Sequence, residues 1–281
     1  MPARKQKRPR PALRWHGGKW MLAPWIIENM PAHRIYVEPY CGAASVLLRK
    51  PRVYSEVVND LDGELTGFFR VLRDRSSAAE LERLLRLTPF ARTEFEESHT
   101  ADLDPVEQAR RTVIRSFMGF GSTSHNRATG FRANSNRSGT TPAHDWASYP
   151  DGIRILTARL QGVVIETRPA QDMIRQHDAP DALHYVDPPY VHEARALGQQ
   201  NNYRHEMTDD DHRDLAATLR GVSGQVMLSG YPSELYDCEL YPDWPRLTRL
   251  HHGDGACDRT ECLWLNPAAA ARAKQSVMNL L

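Results

Sequence analysis

The run Ala182-Leu183-His184-Tyr185-Val186 passes directly into Asp187-Pro188-Pro189-Tyr190, and no other junction in the chain restricts the fold as tightly. The first five residues have the apolar and β-branched content of a strand buried in a sheet. That strand has to stop at Asp187, because consecutive prolines donate no backbone hydrogen bonds and each excludes its predecessor from the helical region. The loop is therefore stiff, and its carbonyls remain available as acceptors. A carboxylate beside such carbonyls is an acceptor pair for a flat amino group held by both N–H bonds, and Tyr190 adds a ring for stacking. Nucleobases have that shape and chemistry. The competing reading is a strand that ends in a Pro-Pro turn with Asp187 as a local cap, so the company of other motifs has to decide.

A chain of 281 residues with 41% hydrophobic composition can bury a proper core, as one large α/β domain or two small ones. No stretch approaches the length of a membrane span, and the basic N-terminus lacks the apolar segment of a secretory signal, which predicts a cytoplasmic protein. Four cysteines in a chain this long do not form a disulfide framework, in keeping with a reducing compartment. His251, His252, Cys257 and Cys262 have the ligand types of a zinc site but loose spacing, and Cys262 falls in an apolar run, so no metal is expected. The net charge of +1 conceals an uneven distribution. From Met1 to Lys19 there are Arg4, Lys5, Lys7, Arg8, Arg10, Arg14 and Lys19 and no acid. Between Glu107 and Asp145 stand Arg110, Arg111, Arg115, Arg127, Arg132 and Arg137, again without an acid. Two such stretches in a nearly neutral protein predict a surface facing phosphates, although the first ten residues read equally as a solvated tail.

In chain order, Arg14-Trp15-His16-Gly17-Gly18-Lys19 precedes an amphipathic segment over residues 20–30. Paired glycines and a lysine at the start of a helix let backbone N–H groups and an ammonium approach an anion. Residues 35–38 form a short strand, 39–45 a small-residue turn, and 45–48 the start of a helix, the arrangement that lets a cofactor lie against backbone in doubly wound sheets. A second strand over 53–58 ends in Asn59-Asp60, roughly twenty residues beyond the first, where an acid can accept hydrogen bonds from ribose hydroxyls. Glu38, Asp60 and Asp187 all fall at the carboxyl ends of strands, where such sheets bind ligands. From 61 to 116 the pattern is helical: Leu65, Phe68, Phe69 and Leu72 share a face, as do Leu81, Leu84 and Leu85. Residues 117–149, rich in Gly, Ser, Thr, Asn and Arg, read as a long polar irregular insertion. Strands follow over 163–167 and 225–230, with a helix over 170–176, a polar flap over 192–204, and a hairpin of 247–251 with 260–265. Thr208 starts a helix reaching 219, in which Asp209, Asp210 and Asp211 are capping charges rather than metal ligands.

At this point the chain resembles a known family, the Dam-type (alpha-class) DNA adenine N6-methyltransferases. Arg14-Trp15-His16-Gly17-Gly18-Lys19, Val37-Glu38-Pro39-Tyr40-Cys41-Gly42, Asn59-Asp60-Leu61-Asp62 and Asp187-Pro188-Pro189-Tyr190 carry the resemblance in the family's order. Arg259-Thr260-Glu261-Cys262-Leu263-Trp264-Leu265-Asn266-Pro267 is similar to the closing strand of phage-type members. His16 stands where alanine is usual, and Cys41 is a second departure; neither removes a group the chemistry needs. The resemblance implies a Rossmann-like α/β sheet of about seven strands, with residues 1–60 and 151–281 as the catalytic domain and 61–150 as an inserted target-recognition domain. It names the cofactor as S-adenosyl-L-methionine, released as S-adenosyl-L-homocysteine, and the partner as double-stranded DNA with a flipped-out adenine. Asp187, Pro188 and Tyr190 would be catalytic; Trp15, Lys19, Glu38, Tyr40, Gly42, Asp60 and Asp187 would contact the cofactor. Arg127, Arg132, Asn134, Asn136 and Arg137 would contact DNA, since arginine pairs with guanine and asparagine with adenine. Methylation of guanine N2 in ribosomal RNA, of cytosine N4 in DNA, and a DNA-binding relative without catalysis remain as alternatives.

Overall fold

The strand-forming runs of this chain are short, β-branched and flanked by turn residues, and each folds as β-structure. A computed structural model describes residues 10–121, 129–134, 139–195, 203–252 and 258–278. Its strands are β1 (Ile35–Glu38), β2 (Ser55–Asn59), β3 (Val163–Glu166), β4 (Ala182–Val186), β5 (Gln225–Gly230), β6 (Arg246–His252) and β7 (Asp258–Leu265). They form one seven-stranded sheet in the order β3-β2-β1-β4-β5-β7-β6. The β1/β2, β1/β4, β2/β3 and β4/β5 pairs are parallel, whereas β7 runs antiparallel to both β5 and β6. All seven belong to one compact unit, made of Met21–Cys41, Lys50–Thr66 and the described residues of Gly162–Leu281.

Within this unit, β4 and β5 are buried at every position, as expected of central strands covered on both faces. Val186, Val226, Leu228, Cys262 and Trp264 pack with Leu215 and Leu219 of the helix Asp209–Arg220 and with Tyr236, Tyr241 and Trp244. That helix is held at its start by a complete capping box, Thr208 with Asp211, which satisfies otherwise orphaned N–H groups. The sequence did not predict the helix Pro267–Met278 or the π-helical segment Leu235–Leu240. The former starts where Asn266, 6% exposed, accepts from Val226 N at 3.0 Å and Ala269 N at 2.9 Å and donates to the Gly224 carbonyl at 2.9 Å.

The second unit comprises the described residues of Met1–Trp20 with Gly42–Arg49 and Gly67–Gln161, and it is helical. Its main helices are Arg75–Leu87, Pro105–Met118 and Ile153–Leu160. Asp74 and Asp104 cap the first two with their carboxylates, at 2.8 Å from Ser77 N and 2.8 Å from Glu107 N. Phe68, Phe69, Leu72, Leu81 and Leu85 are buried as their spacing predicts. The expected irregular insertion contains a helix, Pro142–Ser148, capped by Thr141; Thr-Pro is an N-cap and first-position pair. The Trp146 indole, 4% exposed, donates to the Thr88 carbonyl at 2.8 Å.

The expectation of a phosphate-facing arginine surface fails for Arg110, Arg111 and Arg115. Helical spacing brings Glu107 within 2.7 Å of Arg110 and 2.8 Å of Arg111, and Glu94 and Asp102 add contacts at 2.8 and 3.2 Å. Arg115, 4% exposed, donates to the Ser98 carbonyl. These guanidinium groups hold the helices together. The acids that neutralise them lie earlier in the chain than the acid-free stretch in which they were counted.

His184 on β4 is fully buried, and burial pushes its pKa down from 6.5 to about 4, with Asp178 at 3.6 Å offsetting part of the effect. His212, 1% exposed, is likewise pushed by burial to about 4. Since these imidazoles are neutral when folded and titrate near 6.5 when unfolded, their contribution is intact above pH 6.5 and is lost as pH falls toward 4. Each should cost about 3 kcal/mol at the lower limit. The melting temperature should fall through this window, and His184→Leu, compared with wild type at pH 7 and pH 4.5, should reduce the drop.

Candidate active site

In the strand order, chain progression reverses direction between β1 and β4, which is where open α/β sheets leave a crevice beyond the carboxyl ends of their strands. Glu38 ends β1, Asp60 follows β2, and Asp187 follows β4. Three acids thus stand at the same end of three adjacent strands.

A buried amide holds two of these ends in place. Asn59, 1% exposed, donates from Nδ2 to the Pro39 carbonyl at 2.9 Å and the Arg168 carbonyl at 3.0 Å, while its Oδ1 accepts Arg168 N at 2.9 Å. Its own carbonyl accepts Cys41 N at 2.9 Å. The turn after β1 and the segment after β3 are therefore fastened to the end of β2. Glu38, 2% exposed, accepts from the Tyr36 hydroxyl at 3.0 Å. Lys50 lies 4.5 Å from the Tyr36 ring centroid and pairs with buried Glu56 at 2.8 Å. Beyond Asn59, Asp60 accepts Asp62 N at 3.0 Å and Asp62 accepts Glu64 N at 3.0 Å. This stair of carboxylates turns the chain into the helix Gly63–Arg73. Arg204 reaches Asp62 at 3.0 Å and Glu64 at 3.5 Å.

On the other side of the reversal, Asp187 is half-buried and Tyr190 is 7% exposed. The Tyr190 hydroxyl donates to Glu261 Oε1 at 2.5 Å, and the Ser229 hydroxyl donates to the same oxygen at 2.6 Å. His251 Nε2 lies 3.6 Å from the other oxygen of Glu261. Tyr231 meets the Tyr190 ring edge-on at 4.6 Å, and Arg259 lies 5.6 Å from the Tyr231 centroid. Burial, then the charges of Asp187 and Glu261, raise the Tyr190 pKa well above its usual value, so the phenol remains a donor. Arg195 donates to the Tyr190 carbonyl at 2.7 Å and pairs with Glu206 at 2.8 Å. Sequence reasoning gave Glu261 no role. Its signal was an acid directly preceding the apolar run Cys262-Leu263-Trp264-Leu265.

The N-terminal motif folds in the helical unit. Gly18 N donates to the Trp15 carbonyl at 3.2 Å, closing a turn in which Gly17 takes φ +71°, a conformation that disfavours any side chain. The Lys19 ammonium, 6% exposed, donates to the Gly17 carbonyl at 2.8 Å. The helix that follows begins only at Ala23, so these glycines form a turn of their own rather than the first turn of that helix. Arg14 exchanges both backbone hydrogen bonds with the Ser116 hydroxyl, at 2.7 and 3.0 Å, and Tyr149 donates to the Ala12 carbonyl at 2.7 Å. Gly42 has φ +46°, and a Cβ there would lie 3.1 Å from the Trp15 indole. Ala44 also has positive φ, +51°, at a cost of roughly 1 kcal/mol. Trp15, Lys19 and Gly42 are thus brought together. Tyr40, in the sheet unit, is half-buried against the aromatic cluster of Tyr236 and Tyr241.

Among the residues expected to contact DNA, Arg132 is half-buried and Asn134 exposed, whereas Arg127, Asn136 and Arg137 lie outside the described residues. Gly119 bridges Phe131 in antiparallel fashion, with Phe120 N at 2.8 Å from the Gly130 carbonyl and Arg132 N at 2.7 Å from the Met118 carbonyl. Phe131 anchors this base on Phe90 at 5.1 Å and Phe95 at 6.0 Å. Of the segment read as a flap, residues 196–202 also lie outside the described residues. No group of His, Cys, Asp and Glu among the described residues could hold a metal ion. Nor is any helix among them long and apolar enough to cross a membrane.

The sheet order with its antiparallel β7, and an Asp-Pro-Pro-Tyr loop after β4, are those of a Rossmann-like methyltransferase fold. Residues 15–255 match the D12 class N6 adenine-specific DNA methyltransferases, and the chain belongs to that family. It is 33% identical over 72 residues to the DNA adenine methylase of Vibrio cholerae serotype O1, covering 26% of each chain. It is 27% identical over 95 residues to the Type II methyltransferase M.MjaIII of Methanocaldococcus jannaschii, covering 31% of each. The matched region spans about a quarter to a third of the length of these relatives.

Replacing Asn59 by alanine removes three hydrogen bonds, one of them fully buried. The loss should be about 3 kcal/mol, or a drop in melting temperature of roughly 2–4 °C per kcal/mol. Thermal denaturation checks the size, and faster hydrogen exchange at Arg168 N than in wild type checks the location.

Proposed function

We propose that this protein transfers a methyl group from S-adenosylmethionine to N6 of an adenine flipped out of double-stranded DNA. The observation that carries the reading is Asp187-Pro188-Pro189-Tyr190 at the carboxyl end of β4, directly beside the β1/β4 reversal, in a member of this family. The same reading puts the protein in the cytoplasm with DNA as its partner, residues 61–150 recognising the target, and Arg127, Arg132, Asn134, Asn136 and Arg137 on the nucleic acid.

The residues present fit the cofactor. Acids at the ends of adjacent strands, Glu38 and Asp60, suit hydroxyl donors, and a turn that tolerates no side chain at Gly42 suits close approach to backbone. Trp15, Lys19, Tyr40 and Asp187 complete the cofactor contacts that the family resemblance assigns. S-adenosylmethionine supplies a methyl on a sulfonium, an electrophile strong enough that neither a metal nor a covalent nucleophile is required. Asp187 accepts one N–H of the adenine amino group and the Pro188 carbonyl accepts the other. Held so, the nitrogen lone pair is withdrawn from the ring and aimed along the line of displacement, and alignment supplies most of the rate. Asp187 is also placed to take the proton that the nitrogen sheds after the N–C bond forms. Tyr190 stacks on the extruded base and offsets part of its unstacking, which costs roughly a few kcal/mol.

Purified protein incubated with S-adenosylmethionine and mixed-sequence unmethylated duplex DNA should yield N6-methyladenine when the DNA is digested to nucleosides and analysed by mass. N4-methylcytosine, or methylation of RNA alone, would replace this reading. Asp187→Ala should keep the wild-type melting temperature within a few degrees and lose methylation by at least about 100-fold; full retained activity would remove Asp187 from the mechanism.

A further inference from the structure

Among the buried acids that the reading above leaves without a part is Glu261. Glu261 is 1% exposed on β7, the strand that enters the sheet antiparallel between β5 and β6. A carboxylate this deep is expensive unless its charge is satisfied. The Tyr190 hydroxyl at 2.5 Å and the Ser229 hydroxyl at 2.6 Å donate to one of its oxygens, and His251 Nε2 lies 3.6 Å from the other. We propose that Glu261 is a positioning residue for methyl transfer, fixing the position of the Tyr190 ring so that, with Tyr231 edge-on against it, the ring receives the substrate base in one orientation. The proposal rests on the methyltransferase reading and deepens it.

The geometry determines what Tyr190 can do. A tyrosine ring turns about its Cβ–Cγ bond without displacing its hydroxyl, but the Cα–Cβ rotamer sweeps the ring through space. A short charge-assisted hydrogen bond at the hydroxyl fixes the far end of that lever. The near end is fixed by Pro188-Pro189 and by Arg195 on the Tyr190 carbonyl at 2.7 Å. Tyr231 closes against the ring edge-on at 4.6 Å. A stacking platform pinned at both ends loses little entropy when a base arrives, the condition under which alignment accelerates reaction. Ser229, at the end of β5, shares the same carboxylate oxygen and so keys Glu261 to the central sheet.

The test is a double-mutant cycle on the full-length protein. Glu261→Ala should lower kcat at saturating DNA by on the order of 100-fold, with the KM for S-adenosylmethionine changed by less than about 2-fold. Glu261→Gln, whose amide oxygen can still accept from both hydroxyls, should recover most of that loss. In a Tyr190→Phe background, Glu261→Gln should add no further loss of kcat. Equal kcat for Glu261→Ala and wild type, or losses from Glu261→Gln and Tyr190→Phe that multiply, would overturn the proposal. If Glu261→Ala does not fold, Glu261→Gln and Tyr190→Phe decide the matter alone. If wild type methylates nothing, the functional reading falls. The same cycle read by thermal denaturation then decides the anchor: non-additive losses keep it and additive losses remove it.

Discussion

The side-chain amide of Asn59 is the contact on which the candidate site depends. An amide has two donors and an acceptor arranged in a plane, so a buried one whose partners are all backbone groups has a single satisfactory orientation. Its partners are the Pro39 carbonyl and both backbone groups of Arg168. The ends of β1, β2 and β3 are thereby set in fixed relation, and with them the positions of Glu38 and Asp60. Across the reversal between β1 and β4, the anchor is of another kind. There the carboxylate of Glu261 ties the loop after β4 to the end of β5. One polar anchor stands on each side of the crevice, and both are buried where water cannot compete for them.

Much of the sheet was legible because its signals are local. β-Branched runs ended by Asn59-Asp60, Asp187-Pro188 and Gly230 mark where strands stop, and strand ends are where such folds place their ligands. The helix after Thr208 was equally readable, since a threonine followed three residues later by an aspartate is a cap that needs no tertiary partner. The spacing of Leu65, Phe68, Phe69 and Leu72 likewise foretold burial. At the site, the spacing of Glu38, Asp60 and Asp187 followed from the strand assignments alone.

What escaped depends on partners distant in sequence. Arg110, Arg111 and Arg115 look like phosphate ligands in a window free of acids, yet Glu94, Ser98 and Asp102 reach them from earlier segments. Glu261 looks like an ordinary strand residue until Tyr190 and Ser229 arrive from elsewhere in the chain. The helix Pro142–Ser148 was hidden by its polar surroundings, although Thr141-Pro142 is a start signal on its own terms. The glycines of the N-terminal motif were read as the entry to a helix, but they close a turn of their own and the helix starts at Ala23.

The insertion of β7 between β5 and β6 also orders events in time. Tyr190 and the carboxylate that receives its hydroxyl are separated by 71 residues, and the strand bearing that carboxylate is the last of the sheet to leave the ribosome. A nascent chain can lay down β1 to β5 in succession, yet until β7 has emerged and slipped into its slot, the end of β5 is an open edge and the ring of Tyr190 has no anchor. The β5 edge is covered and the ring secured by the same strand. In a half-made chain the Tyr190 hydroxyl thus lacks its acceptor, and the ring takes its final place only when β7 has joined the sheet.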